Sequence, residues 1–136
     1  MEKNFLGIDY GEKRIGLALA DDNERIARGF KIIHKLNELD DIVPAKNVFA
    51  FVIGLPLQPD GSEGESVANT RLFVARLKEK YGLPIYWQDE RKTSVAAENY
   101  LKEGLFMRPD KRKDVLDAES ARIILQRWLE QSKDLK

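Results

Sequence analysis

The 136-residue sequence contains no cysteine and only one histidine, His34. Disulfide bonds, thiolate metal sites and histidine-cluster metal sites are therefore excluded, and a Ser-His-Asp arrangement has little room. The chain also has no net charge, because 23 Lys and Arg residues balance 23 Asp and Glu residues. A balanced charge does not suit binding of nucleic acid through bulk charge alone, although it allows a local basic surface beside an acidic site.

Long hydrophobic runs are also missing. No apolar run reaches membrane-spanning length, and charged residues begin at the second position, which does not match a signal peptide. We therefore expect a cytoplasmic protein. Hydrophobic residues make up 43% and charged residues 34%, which is typical of a globular chain, and the length predicts one domain over residues 1–136.

The stretch 4–20, NFLGIDYGEKRIGLALA, predicts a β-hairpin whose first strand ends at an acid, Asp9. We expect Gly11 to adopt a positive φ in the connecting turn. An acid at the end of a buried strand is costly to desolvate unless it has a partner. That partner is a metal ion, or else Lys13 or Arg14 nearby; the alternative is that Asp9 only shapes the turn.

Short turns between the first strands predict an antiparallel meander, and later strands that alternate with helices predict parallel pairing. The predicted elements are strands at 4–9, 14–20 and 28–35, a short helix at 36–46, a strand at 47–54, a helix at 65–81, a strand at 83–89, a helix from 93 or 94 to 103, and a last helix at 114–131. Ser62 and Glu65 match a capping box for the second helix, and Gly82 ends it. The fold class is α/β, a mixed five-stranded sheet with helices on both faces.

Acidic residues occupy three related positions in this arrangement. Asp9 and the pair Asp89-Glu90 end predicted strands, where ligands bind in open α/β sheets. Strand pleating allows only one of Asp89 and Glu90 to point into such a site. Asp117 lies four residues before Ala121, on the helix face that packs against the sheet. The alternative for Asp117 is a favourable interaction with the dipole at the helix N-terminus.

Clustered carboxylates repel one another. At ~4 Å and an effective dielectric constant of ~20, each pair costs about 4 kcal/mol. Divalent cations neutralise such a cluster, and oxygen ligands without Cys or His point to Mg²⁺ or Mn²⁺. Two such ions can activate water and stabilise a leaving oxygen in phosphodiester hydrolysis.

Arginine and lysine side chains near these acids are candidates for phosphate contacts, since the planar guanidinium group can donate two hydrogen bonds at once. The candidates are Arg14, Arg71, Arg91, Arg108, Lys111, Arg112 and Lys113. The last four lie in a predicted loop at 105–113, just before Asp117. We expect Tyr86, Trp87 and Trp128 to be core aromatic residues and His34 to lie in a strand or at the surface.

Four blocks of the sequence, in order, resemble the YqgF/RuvX family: GIDYGEKRIGLA, VIGLPLQPDGSEG, QDERKTSVAAE and KRKDVLDAESARIILQRWL. The resemblance covers nearly the whole chain and implies a ribonuclease H-like fold. It implies that Asp9, Glu90 with Asp89 beside it, and Asp117 are the acidic site residues. The family has been described both as Holliday junction resolvases and as nucleases that mature the 5′ end of 16S ribosomal RNA. One departure is that Lys92 and Ser94 stand where other members have Leu and Thr, and neither position supplies an acid.

The resemblance and the acids together predict a nuclease dependent on Mg²⁺ or Mn²⁺ that cleaves structured RNA, a ribosomal RNA precursor or a ribosomal particle being the expected partner. One alternative is a resolvase acting on four-way DNA, which should be a two-fold dimer; the chain is a monomer or a homodimer. A second is a non-catalytic factor that binds RNA or ribosomes. A third is an ATP-binding module of the actin-like kind, which needs two such domains where this chain provides one.

Overall fold

The computed structural model describes residues 2–90 and 109–132, and within the last helix it describes side chains from residue 118 onward. The chain begins with three antiparallel strands joined by short turns. They are β1 (Asn4–Tyr10), β2 (Ile15–Asp21) and β3 (Arg28–Ile33). The predicted meander is therefore confirmed, with strand ends that differ from the prediction by one or two residues.

Two further strands extend the sheet in the parallel sense. Strand β4 (Val48–Leu55) pairs with β1, and β5 (Ile85–Asp89) pairs with β4. The strand order is β3-β2-β1-β4-β5. Strand β4 is buried along most of its length on both faces, because a central strand of such a sheet is covered by helices on each side. The C-terminal ends of β1, β4 and β5 lie at the same edge of the sheet.

Helices cover both faces of this sheet, as the sequence predicts. A single 3-10 turn leads into α1 (Leu39–Ala45), and α2 (Glu65–Tyr81) follows β4. Leu39, Phe73 and Leu77 of these helices pack in one core cluster with inward side chains of β1 and β4. The last helix, α3 (Pro109–Gln131), packs on the opposite face in a second cluster.

Helix α3 approaches β1 unusually closely at a glycine. A Cβ atom added to Gly7 would lie 2.8 Å from Cβ of Leu125 and 3.2 Å from the carbonyl oxygen of Ala121. A glycine inside a strand often marks such close backbone approach. Further back along β1, the ring of Phe5 contacts Trp128, with centroids 5.2 Å apart. Helix α3 therefore runs antiparallel to β1, and residues before Ala121 lie toward the Asp9 end of that strand.

Three local expectations are wrong: two concern Gly11 and Ser62, and the third concerns the start of α3. Gly11 does not have a positive φ; instead, an added Cβ would lie 2.7 Å from the carbonyl oxygen of Arg14, so the turn needs Gly11 for space. Ser62 does not cap α2, because its hydroxyl group donates to Asp60 and the N-cap residue is Gly64. Gly82 does end α2, with a φ of 65°.

The start of α3 is the third difference. The helix begins at Pro109, five residues before the predicted position, and Lys111–Lys113 lie in its first turns rather than in a loop. Proline is favourable at the first position of a helix, because its missing N–H group would have no helical partner there. The predicted helix between 93 and 103 lies outside the described residues. No described helix combines the length and apolar character that crossing a bilayer requires.

Candidate active site

Two acidic side chains meet at the edge of the sheet where β1, β4 and β5 end. Asp9 is next to last in β1, on the face that α3 covers, and Glu90 follows directly after β5. The backbone N–H group of Glu90 donates to the carbonyl oxygen of Leu55 at 3.2 Å, which extends the pairing of β5 with β4 by one residue. The carboxyl groups of Asp9 and Glu90 are hydrogen-bonded to each other.

Gly54 is the reason that the Glu90 side chain fits against the sheet. A Cβ atom added to Gly54 would lie 2.8 Å from Oε2 of Glu90 and 2.5 Å from Cδ1 of Ile124. The Glu90 carboxyl group therefore occupies space above the Gly54 backbone, beside α3. Hydrophobic patterning does not assign Gly54 to the site, since its neighbours in β4 predict only a buried strand.

The two carboxyl groups share a proton at neutral pH. The pKa of Glu90 is raised to about 9, most of all by burial, and also by the negative charge of Asp9, the hydrogen bond with Asp9 and the charge of Asp89. A carboxyl group in this environment stays protonated and donates to a neighbouring carboxylate. Positive charge placed between these two acids would therefore be favourable.

Asp89 and Glu90 have different positions, as pleating requires. Glu90 contacts Asp9, whereas Asp89 is the last residue of β5 and acts on Glu90 through its charge. Residue Asp117 lies on α3 one turn before Ala121, toward the Asp9 end of β1, and its side chain is outside the described part. Within the side chains of 2–90 and 118–132, no three acidic or histidine side chains converge on one point.

The predicted basic residues are spread over several elements. Arg14 is half-buried just before β2. Arg71 lies on α2, with Nη2 3.2 Å from Oε1 of Glu63. Lys111–Lys113 lie on α3 without described side chains, and Arg91 and Arg108 lie outside the described residues.

The aromatic residues differ from expectation. Tyr86 exposes 40% and Trp87 36% of its surface, so neither is a core residue. Trp128 is half-buried between Phe5 and Tyr86. His34 is exposed and its ring Nδ1 lies 3.0 Å from the carbonyl oxygen of Lys13, a surface position as predicted.

Replacing Gly54 with alanine is expected to displace the Glu90 carboxyl group. Because the added Cβ conflicts with Glu90 and Ile124, we expect a loss of about 1–3 kcal/mol in the free energy of unfolding. We also expect a loss of cleavage activity of about 10–100-fold, the usual effect of disturbing a group that orients a ligand. Urea unfolding and a cleavage assay on folded protein measure the two effects.

Gly29→Ala is the matched control for this variant. Its added Cβ would meet atoms of Ala118 at 3.4–3.6 Å, which is ordinary van der Waals contact. We expect Gly29→Ala to retain activity. Wild-type activity in folded Gly54→Ala would show that the position of Glu90 is not important for cleavage.

Comparisons with known proteins identify relatives over nearly the whole chain. The family model RuvX, described as Holliday junction resolvase, matches residues 3–131. Proteins of Burkholderia ambifaria and Burkholderia cenocepacia, each named "Putative pre-16S rRNA nuclease", are both 40% identical over 98% of this chain and 93% of their own length.

Solved structures share the fold at low sequence identity. The Fowlpox virus resolvase in complex with Holliday junction DNA has a TM-score of 0.57 at 10% identity, covering 94% of this chain and 97% of that one. Thermus thermophilus RuvC in complex with a Holliday junction substrate has a TM-score of 0.56 at 16% identity, covering 96% of each chain. The mixed five-stranded sheet and its covering helices are therefore of the ribonuclease H-like kind found in these resolvases. On the strength of the family model and the 40% identical relatives, the chain belongs to the RuvX family.

Proposed function

We propose that this nuclease of the RuvX family hydrolyses phosphodiester bonds in structured RNA, and that its substrate is the 5′ end of a 16S ribosomal RNA precursor. The observation that supports the proposal most directly is the hydrogen-bonded pair of acids, Asp9 and Glu90, at the edge of the sheet where strands end. The substrate is inferred from the names of the 40% identical relatives.

The donor set of the site fits a divalent cation. Asp9 and Glu90 offer only carboxylate oxygens, which are the ligands that Mg²⁺ and Mn²⁺ prefer. The raised pKa of Glu90 indicates that positive charge between the two acids is favourable. Asp117, on the nearby turn of α3, is the proposed third ligand, and Asp89 is the fourth acid that we propose for the metal site.

When bound there, a divalent cation would supply a Lewis acid that polarises the phosphodiester group and activates water. The chain's own contribution is to hold Asp9 on β1 and Glu90 after β5 in contact. Gly54 leaves the space in which Glu90 can do so. The close packing of α3 on Gly7 fixes the helix that bears Asp117 at a short distance from β1.

Basic residues are proposed to position the phosphate backbone. They are Arg14, Arg71, Arg91, Arg108, Lys111, Arg112 and Lys113. Lys111–Lys113 lie in the first turns of α3, where cations are unfavourable for the helix dipole and where phosphate groups bind well. Their placement at that end of α3 supports binding of an anionic substrate.

A four-way DNA junction is the second candidate substrate. It is favoured by the family description and by the fold shared with RuvC. A resolvase cuts two strands symmetrically and needs a two-fold dimer, whereas a monomer suffices for RNA processing.

We propose a cytoplasmic protein that meets its substrate in a ribosomal particle.

The test compares a 16S ribosomal RNA precursor with four-way DNA junctions, each incubated with the purified protein and Mg²⁺, Mn²⁺ or a chelator. We expect cleavage near the 5′ end of the RNA, in the presence of either metal and not in chelator. Symmetric cutting of junctions by a dimer, with intact RNA, would favour the resolvase. Binding of RNA without cleavage under every condition would favour a non-catalytic factor.

A further inference from the structure

A single methyl group of α3 adjoins the acidic pair. Cδ1 of Ile124 would lie 2.5 Å from a Cβ atom added to Gly54, and Oε2 of Glu90 would lie 2.8 Å from the same point. The methyl group and the carboxyl group therefore share the notch above the Gly54 backbone. Ile124 exposes 0% of its surface, so on this side the Glu90 carboxyl group meets packed hydrocarbon and not water.

The Ile124 side chain forms a rigid wall of that notch. A β-branched side chain on a helix has one strongly preferred χ1 rotamer, so its outer methyl group has little freedom to move. The helix backbone is equally constrained, because Cβ of the next residue, Leu125, would lie 2.8 Å from a Cβ atom added to Gly7. The Glu90 carboxyl group is therefore backed by a fixed wall while it contacts Asp9.

Ile124 also lies on the side of α3 that bears Asp117. The two residues are seven positions apart, which is close to two full turns, or about 10 Å along the helix. Because Ile124 is seated against Gly54, it sets the rotation of α3 about its axis, and with it the side on which Asp117 lies. One apolar side chain is thus linked to two proposed ligands, to Glu90 by contact and to Asp117 through the helix.

We propose that Ile124 is a positioning residue of the metal site, whose δ-methyl group holds the Glu90 carboxyl group beside Asp9 and excludes water from the α3 side. The inference rests on the proposed function. It adds that part of the affinity for a divalent cation depends on a side chain that offers no ligand atom. The physical basis is that the apolar surroundings of a metal site control both solvent access and the local dielectric constant.

The test compares two substitutions that each remove one buried methyl group. Ile124→Val removes only Cδ1 and keeps the branched Cβ atom. Ile53→Val is the matched control, because Ile53 precedes Gly54 in β4 and is equally buried, but packs in the cluster on the opposite face of the sheet. We expect both variants to lower the melting temperature in chelator by a few degrees and to a similar extent.

Only Ile124→Val should change metal binding. We expect its affinity for Mn²⁺ to fall about ten-fold, the lower end of the loss when a residue that supports metal ligands is changed. Ile53→Val should bind Mn²⁺ within about two-fold of the wild type, as expected for a distant site. Calorimetric titration at one pH, well below the melting temperature of each variant, measures these affinities on folded protein.

Three outcomes would overturn the positioning role of Ile124. Equal Mn²⁺ affinities of Ile124→Val and a wild type that cleaves would leave Ile124 as a core residue of an intact nuclease. Equal weakening of Mn²⁺ binding by Ile53→Val would attribute the loss to general loosening of the fold. A wild type that binds no Mn²⁺ and cleaves neither RNA nor DNA would overturn the proposed function as well.

Discussion

Asp9→Asn is expected to reduce cleavage by more than about 100-fold, beyond the usual loss for a residue that only orients a metal ligand. The metal-free variant should be as stable as the wild type or more stable. The physical reason is that the charge of Asp9 opposes ionisation of Glu90, which lies against it, so the asparagine amide removes that unfavourable charge and keeps a hydrogen-bonding group. Cleavage rates in Mg²⁺ and thermal unfolding in chelator measure the two effects.

Asp117→Asn should behave in the same way, since we propose Asp117 as the third ligand. Asp41→Asn is the control, because Asp41 is an exposed acid on α1, on the opposite face of the sheet. It should leave activity and stability unchanged. Substantial loss of stability in metal-free Asp9→Asn would mean that the acid shapes the hairpin turn instead of binding a cation.

The second large effect is a dependence of metal-free stability on pH. The pKa of Glu90 is about 9 in the folded protein and has an ordinary value of 4.5. Between these values the folded state binds a proton that the unfolded state has released. The free energy of unfolding therefore falls as pH rises from about 4.5 to about 9, and the dependence disappears above that range. The total is on the order of a few kcal/mol.

Glu90→Gln should remove most of this dependence, because the amide does not titrate and can still donate to Asp9. Urea unfolding in chelator at a series of pH values measures it. Mg²⁺ or Mn²⁺ should raise the melting temperature of the wild type most at high pH, where both acids are ionised. A wild type whose stability is the same at pH 5 and pH 8.5 would contradict the shared proton.

Most of the fold follows from hydrophobic patterning in the sequence. The continuous apolar run ending at Gly54 predicts a central strand, and the spacing of Val67, Val74 and Leu77 predicts the buried face of α2, which spans Glu65–Tyr81 as expected. Short turns between the first three strands are sufficient to predict their antiparallel order. These features depend on local periodicity, and the structure has them at nearly the expected residues.

The errors occur where a residue's role depends on distant contacts. We expected the turn to need Gly11 for a positive φ, but it needs Gly11 because a side chain would collide with the carbonyl oxygen of Arg14. Ser62 has the spacing of a cap, yet Asp60 provides a nearer acceptor. Trp87 was expected in the core because it is apolar, whereas its exposure results from the position of β5 at the sheet edge. Strand order alone would have indicated this, since edge strands have one uncovered side.

The candidate site was predictable in part. The ends of β1 and β5 indicated Asp9 and the pair Asp89-Glu90, since ligands bind at those ends. Which of the pair contacts Asp9 depends on where β5 stops pairing with β4 and on the space above Gly54. Neither feature can be obtained from periodicity.

A crystal structure of the protein in Mn²⁺, with the ion located by its anomalous scattering, tests the central claim most directly. The proposed function predicts an ion about 2.0–2.3 Å from carboxylate oxygens of Asp9, Glu90 and Asp117. An ordered pocket in saturating Mn²⁺ in which the carboxyl groups of Asp9 and Glu90 remain in hydrogen-bonding contact with no ion beside them, or an ion bound without either of them, would contradict it.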